Sequence, residues 1–249
     1  MRELNEIIDG TIKVLEDMKR SGVTHVEVSN KTIEELGKPV VLTPKASIAT
    51  PVASTGDPAA ELAAIEARAK VCVKCTELSQ CRTNVVFGTG NPRAEIMFVG
   101  EGPGHDEDVQ GLPFVGRSGE LLTKIIAAMG YTRQEVYIAN VVKCRPPENR
   151  TPQPDEIANC LPYLLSQIEL IQPKVLVALG ATAVRALLDV QLGITKMRGH
   201  WYTFRGIPIM PTFHPAYLLR NPPAKKEVWE DMKAVLEKLG REVPKSRGS

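Results

Sequence analysis

Apolar strands alternating with amphipathic helices predict an α/β fold: a parallel sheet covered on both faces, in three α/β/α layers. Three observations carry this. The runs EIMFVGE (95–101), VYIANVVKC (136–144) and KVLVALG (174–180) are continuously apolar, as strands buried on both faces must be. Each precedes a helical pattern: SGELLTKIIAAMG (118–130), PDEIANCLPYLLSQIEL (154–170) and ATAVRALLDV (181–190). The chain has 249 residues, 43% of them hydrophobic, enough for one substantial core plus an extension.

Taken in order, residues 3–20 space Leu4, Ile7, Ile8, Ile12, Leu15 and Met18 as on one helix face. Residues 21–57 mix short apolar stretches with Pro, Ser, Thr and Gly and read as a linker. Asp57-Pro58 then starts a helix through about Lys70, Asp as cap and Pro in the first turn. The strand and helix alternation follows. WYTFRGIPIMPTF (201–213) reads as paired strands turning at Arg205-Gly206, and 224–240 as a closing helix. The expected organisation is therefore an extension at 1–57, a domain at 58–240 and a tail at 241–249.

Aromatic residues make up 5% of the chain, which argues against a large aromatic-lined surface. Net charge is +2, but residues 1–70 hold 9 Lys/Arg against 11 Asp/Glu, leaving 22 against 18 for the remainder. The second part is mildly basic, consistent with an anionic partner. No signal peptide pattern opens the chain and no stretch reaches a membrane span, so a soluble, cytoplasmic protein is expected. A reducing compartment argues against a disulfide framework and for a metal site.

Cys72 and Cys75 form a C-x-x-C pair, while Cys144 and Cys160 lie far downstream. Four-thiolate sets suit a structural zinc or an iron–sulfur cluster. Zinc ribbons repeat a short knuckle, whereas the second pair here is 16 positions apart, across a Pro-rich stretch. That spread favours a [4Fe–4S] cluster; scattered core cysteines are the plain alternative. A thiol-disulfide role for Cys72-Val-Lys-Cys75 would place the motif between a first strand and a helix, and here it precedes the whole sheet.

Ligand sites in such sheets lie beyond the carboxyl ends of the strands. Beyond the first lies VGEGPGHDEDVQGLPFVGRSG (99–119), a Gly-rich turn that is neither a dinucleotide loop nor a P-loop. Glu101, with Glu107 and Asp108 nearby, offers carboxylates to position water or stabilise positive charge. Asn140, at the second strand end, can read a base edge or an amide. His214, ending a strand before Pro215, is placed for catalysis, and Tyr217, Leu218 and Leu219 beside Arg220 could form a wedge against DNA. Taken singly, each has a bland reading: a solvated acidic loop, a structural Asn, a structural His.

Together these segments resemble the family 4 uracil-DNA glycosylases, the iron–sulfur branch found in bacteria and archaea. The matching motifs are GEGPG-x-x-ED (100–108), GLPFVGRSG (111–119), N-x-VKCRPP (140–147) and HPAYLLR (214–220), in the family's order. The match runs from about Cys72 to Leu239 and leaves Cys81 outside as a spare thiol. The family 5 relatives lack the acidic residue at the place of Glu101.

The resemblance implies a central, mostly parallel four-stranded sheet and a glycosylase that flips uracil out of DNA and hydrolyses its N-glycosidic bond. It implies that Gly102, Phe114 and Asn140 form the base pocket, Phe114 stacking on uracil and Asn140 bonding O4 and N3. His214 would bond O2 as charge develops there, and Glu101, assisted by Glu107, would position water or stabilise the oxocarbenium-like sugar. The best-known uracil glycosylases carry Asp at the place of Gly102, so that water-activating carboxylate is absent here. Leu218 or Leu219 would fill the gap left by the flipped base, and Lys143 and Arg220 would neutralise phosphate. Backbone N–H groups at 102–104 and 116–119 would hold phosphates. Cys72, Cys75, Cys144 and Cys160 would hold a structural [4Fe–4S] cluster. Uracil-containing DNA, single- or double-stranded, is the expected partner and a monomer the expected state. A non-catalytic DNA-binding accessory protein, or a glycosylase for another deaminated base, are the alternatives.

Overall fold

A computed structural model describes residues 56–188, 190 and 192–244, together with Arg20. The described elements lie in one structural unit, Ile48–Ser249; apart from Arg20, the other unit, Met1–Ser47, lies outside the described residues, as does the helix expected at 3–20.

Helix α1 (Pro58–Lys70) starts as the sequence predicts: the Asp57 side chain accepts the Ala59 N–H at 3.1 Å and Pro58 occupies the first turn. A short helix α2 (Thr76–Cys81) and a two-residue strand β1 (Thr89–Gly90) follow. The core alternation is β2 (Ile96–Gly100), α3 (His105–Gln110), α4 (Arg117–Ala128), β3 (Tyr137–Asn140), α5 (Pro154–Ile171), β4 (Val175–Leu179) and α6 (Ala181–Leu188). Next come α7 (Ile194–Met197), β5 (Tyr202–Phe204), β6 (Ile207–Thr212), α8 (Pro215–Arg220) and α9 (Lys225–Lys238).

The sheet order is β1-β3-β2-β4-β6-β5. Its centre, β3-β2-β4-β6, is the parallel four-stranded sheet expected, with Phe98 paired to Ile138 and Val177, and Val177 to Met210. The count is six rather than four because two antiparallel strands flank that centre. β5 pairs with β6 in the hairpin read from the sequence, turning through Arg205 (φ 48°) and Gly206 (φ 84°). β1 pairs with β3 over only two residues, too short to leave a periodicity. The second apolar run is also shorter as a strand than its 136–144 sequence span. Val141 and Val142 still donate to the Gly100 and Glu101 carbonyls, but Lys143 turns away to bond Val86.

Strand alternation sorts side chains into two cores. Met97, Val99, Tyr137, Ala139, Leu176 and Ala178 meet α1, α5 and α6 through Leu62, Ile65, Leu164, Ile168 and Val184. Ile96, Phe98, Ile138, Val175, Val177 and Met210 meet α4 and α9 through Leu122, Ile126, Val228, Met232 and Val235. The strands are buried on both faces, which is why their sequences are continuously apolar. Among the described residues, no helix is long and apolar enough to cross a membrane.

Phe98 is wholly buried in the central strand. Phe98→Ala is therefore expected to cost about 3–5 kcal/mol, read as a lowered midpoint in urea unfolding with the slope unchanged.

Candidate active site

The carboxyl ends of β2, β3, β4 and β6 open into one crevice of about 530 Å³. The turns beyond them bring Glu101, Gly102, Phe114, Asn140, Thr182 and His214 to its walls.

Parallel pairing builds the floor. Gly100 is the register partner of Asn140. A Cβ on Gly100 would lie 2.4 Å from Asn140 Oδ1 and 2.5 Å from the Phe114 ring, so only glycine lets both groups lie over the end of β2. Asn140 is 1% exposed, and its Oδ1 has no hydrogen-bond partner among the described residues. A buried amide oxygen left unpaired costs free energy, and here it lines a crevice a ligand can enter.

Glu107 shapes the wall that carries Phe114. Its Oε1 accepts the Val115 and Gly116 N–H groups at 2.9 and 3.0 Å, and its Oε2 accepts Gly104 N–H at 3.1 Å. Those bonds fold the 104–116 segment around a buried carboxylate and hold Phe114 at φ 55°. Both oxygens expected to assist chemistry are thus committed to the backbone. The Gly104 and Gly116 N–H groups are committed too, so neither points at a phosphate. The Phe114 ring stands 5.5 Å from the His214 ring, at 33°.

His214 caps α8: its Nδ1 accepts the Ala216 N–H at 3.2 Å. An accepting Nδ1 carries no proton, so in the neutral ring the proton sits on Nε2, which is left to donate. Burial, reinforced by the Arg220 charge, pushes the His214 pKa down to about 4; Glu107 opposes weakly. The ring is therefore neutral at neutral pH.

Two expected DNA contacts are placed otherwise. Lys143 is 1% exposed; its Nζ donates to the Asn140 carbonyl at 2.8 Å and to Gln167 Oε1 at 2.6 Å, and it lies over the Phe87 ring. Burial pushes its pKa down to about 7, and the ammonium meets no surface at which to find phosphate. Leu218 is wholly buried in the second core, whereas Leu219 is 37% exposed and Arg220 is exposed. Consecutive helix residues lie about 100° apart, so the two leucines cannot share a face.

A Cβ on Gly102 would lie 2.6 Å from Val142 Cγ2, so an aspartate there would require Val142 to move. Sequence reasoning missed Thr182, whose hydroxyl donates to Glu101 Oε2, and the wall made by Pro146, Asn149, Arg150 and Pro152. The Pro-rich run after Cys144 was the available signal for that wall. Arg150 braces it with bonds to Glu156 and Glu77.

Burial raises the thiol pKa of Cys75, Cys144 and Cys160, and neighbouring thiols raise it further: Cys72 for Cys75, Cys72 and Cys75 for Cys144, and Cys144 and Cys75 for Cys160. Donors face three of the sulfurs: Asn159 Nδ2 on Cys75 at 3.6 Å, Arg82 Nη1 on Cys144 at 3.1 Å and Lys143 N–H on Cys160 at 3.3 Å. Such donors suit thiolates. Among the described residues no three His, Cys, Asp or Glu side chains close on one point, as ligands of a single ion would. Cys81 is exposed.

The model of the uracil DNA glycosylase superfamily matches residues 87–233. The type-4 uracil-DNA glycosylase of Thermotoga maritima is 54% identical over 161 residues, covering 63% of this chain and 82% of that protein. The type-4 uracil-DNA glycosylase of Saccharolobus solfataricus is 46% identical over 177 residues, 68% of this chain and 82% of that protein. That of Sulfurisphaera tokodaii is 48% identical over 176 residues, 67% and 79% respectively.

The His214 geometry makes a direct prediction. Nitrogen-15 spectra of the labelled protein should show a neutral ring protonated at Nε2 from pH 8 down to about 5, with charging only near pH 4. A ring that titrates near 6.5, the ordinary histidine value, contradicts it.

Proposed function

We infer the role of the crevice from one premise: this chain belongs to the uracil-DNA glycosylase superfamily, in its type-4 branch. It excises uracil from DNA, hydrolysing the N-glycosidic bond and leaving an abasic site for base excision repair. The observation that carries the reading is the unpartnered Oδ1 of buried Asn140. Uracil presents an O4 acceptor beside an N3–H donor, and one carboxamide complements both. Cytosine reverses the pair, which would leave the buried amide mismatched, the kind of rejection that discriminates strongly.

In this reading the uracil nucleotide is extruded from the stack. Phe114 takes the face of the base and Asn140 its O4–N3 edge. His214 donates Nε2–H to O2 as negative charge develops on the departing uracil; a neutral donor binds that charge without surrendering its proton. Glu101 supplies the carboxylate that stabilises the positive sugar or positions water. Glu107 is assigned to holding the Phe114 wall rather than to chemistry. Leu219 is the wedge and Arg220 a phosphate contact, while Leu218 anchors their helix in the core and Lys143 supports the Asn140 backbone. The proposed working state is a monomer acting on uracil in single- or double-stranded DNA.

For the four cysteines the proposal is a [4Fe–4S] cluster held by Cys72, Cys75, Cys144 and Cys160. Each thiolate of such a cluster binds a different iron, so its sulfurs need not close on one point. The cluster would supply cross-linking, tying the segment before β1 to the loop after β3, four residues from Asn140. A cytoplasmic setting, which keeps the thiols reduced, suits it.

Base release from matched oligonucleotides carrying one uracil or one thymine tests the function. Alkali should cleave only the uracil strand, and Asn140→Ala should lower kcat/KM by about a hundredfold or more; no release by the wild type refutes the reading. Raising salt should weaken binding of the Arg220→Ala variant less steeply than the wild type, by about one unit of the log–log slope. Lys143→Met should leave that slope unchanged. Cys144→Ser should lose iron and the absorbance of the cluster together, whereas a full iron complement would remove Cys144 from the ligand set.

A further inference from the structure

Thr182 opens a separate question, because no motif singled it out and yet it holds the carboxylate on which the chemistry turns. β4 ends at Leu179, Gly180 reverses the chain at φ 89°, and α6 starts at Ala181. Thr182 therefore lies in the first turn of α6, above the carboxyl end of neighbouring β2 where Glu101 stands. Its hydroxyl donates to Glu101 Oε2, and the residue is 8% exposed. The same turn packs on the other reacting group: a Cβ on Gly180 would lie 3.1 Å from His214 Cβ.

The two carboxylates of the crevice are held in opposite ways. Glu107 spends both oxygens on three backbone N–H groups. Glu101 takes its donor through Oε2 alone, and among the described residues no donor meets its Oε1. A glutamate side chain has several free torsions, and ordering it costs conformational entropy. Threonine is β-branched and restricted at χ1, so its hydroxyl has few directions open to it, and the bond to Glu101 selects one. A charge-assisted bond in a partly desolvated crevice is among the stronger hydrogen bonds.

We propose that Thr182 is a positioning residue for uracil excision: it fixes the Glu101 carboxylate through Oε2 and leaves Oε1 to act on the sugar or its attacking water. This rests on the assignment of Glu101 above. A group that acts only as charge develops changes kcat, while one that shapes the base pocket changes KM.

The test is steady-state kinetics on a uracil oligonucleotide with wild type, Thr182→Val, Thr182→Ser, Glu101→Gln and the Glu101→Gln/Thr182→Val double variant. Valine keeps the shape and removes the hydroxyl; serine keeps the hydroxyl. Thr182→Ala repeats the comparison should valine impair folding, with circular dichroism checking each protein. Thr182→Val should lower kcat about tenfold or more with KM within about twofold, and Thr182→Ser should restore most of it. In the Glu101→Gln background the valine should add little, since the group it positions is already altered. A wild-type rate in Thr182→Val alongside a slowed Glu101→Gln overturns the proposal alone. So does an equal loss in both backgrounds, which marks a merely structural threonine. A wild-type rate in Glu101→Gln overturns the Glu101 assignment and this proposal with it.

Discussion

The parallel pairing of β2 with β3 is the constraint on which the rest of the crevice depends. It sets Gly100 opposite Asn140 and brings both strand ends to the same edge. Because residue 100 has no side chain, the Asn140 amide and the Phe114 ring can occupy the space above it. A larger residue there would displace the Asn140 amide and the Phe114 ring together. The β4–β6 pairing adds the third and fourth ends, Leu179 beside Thr212, and so brings Glu101, Thr182 and His214 into the same opening.

Two buried polar side chains hold the shape of this opening. Glu107 and Lys143 are both almost wholly enclosed, and each is compensated by several hydrogen bonds. Removing a partner from such a group costs far more than adding one gains, so each resists rearrangement. Glu107 holds the Phe114 wall from one side. Lys143 holds the Asn140 carbonyl from below, while its own N–H reaches the sulfur of Cys160. Cys160 and the Asn140 backbone thus share one residue as a neighbour, which ties the cysteine site to the crevice floor.

His214 shows how a local cap sets chemistry. As the N-cap of α8 it spends Nδ1 on the Ala216 N–H, which assigns the remaining proton to Nε2. The same cap starts the helix that turns Leu218 into the core and Leu219 outward. The tautomer of His214 and the outward face of Leu219 are consequences of one short helix.

Much of this was legible in the sequence. The mostly apolar runs 95–101, 136–144 and 174–180 announced the parallel strands, because a strand buried on both faces keeps few polar positions. Asp57-Pro58 marked the start of α1, and the ordered motifs brought Glu101, Asn140 and His214 forward as a set. Other features left no such trace. Lys143 sits in a motif of exposed-looking charge, and its burial follows from the chain turning at Val142 toward Val86 and Gln167, a contact between distant segments. Glu107 reads as a free carboxylate until the fold brings Gly104, Val115 and Gly116 around it. Thr182 carries no motif because its partner is 81 positions away in the chain. Sequence alone thus indicated the principal strands and helices and the side chains that bear reactive groups, since periodicity and residue type are local properties. Which of those groups keep a free atom for the substrate was decided only by tertiary structure, because a hydrogen-bond partner is a matter of position in space.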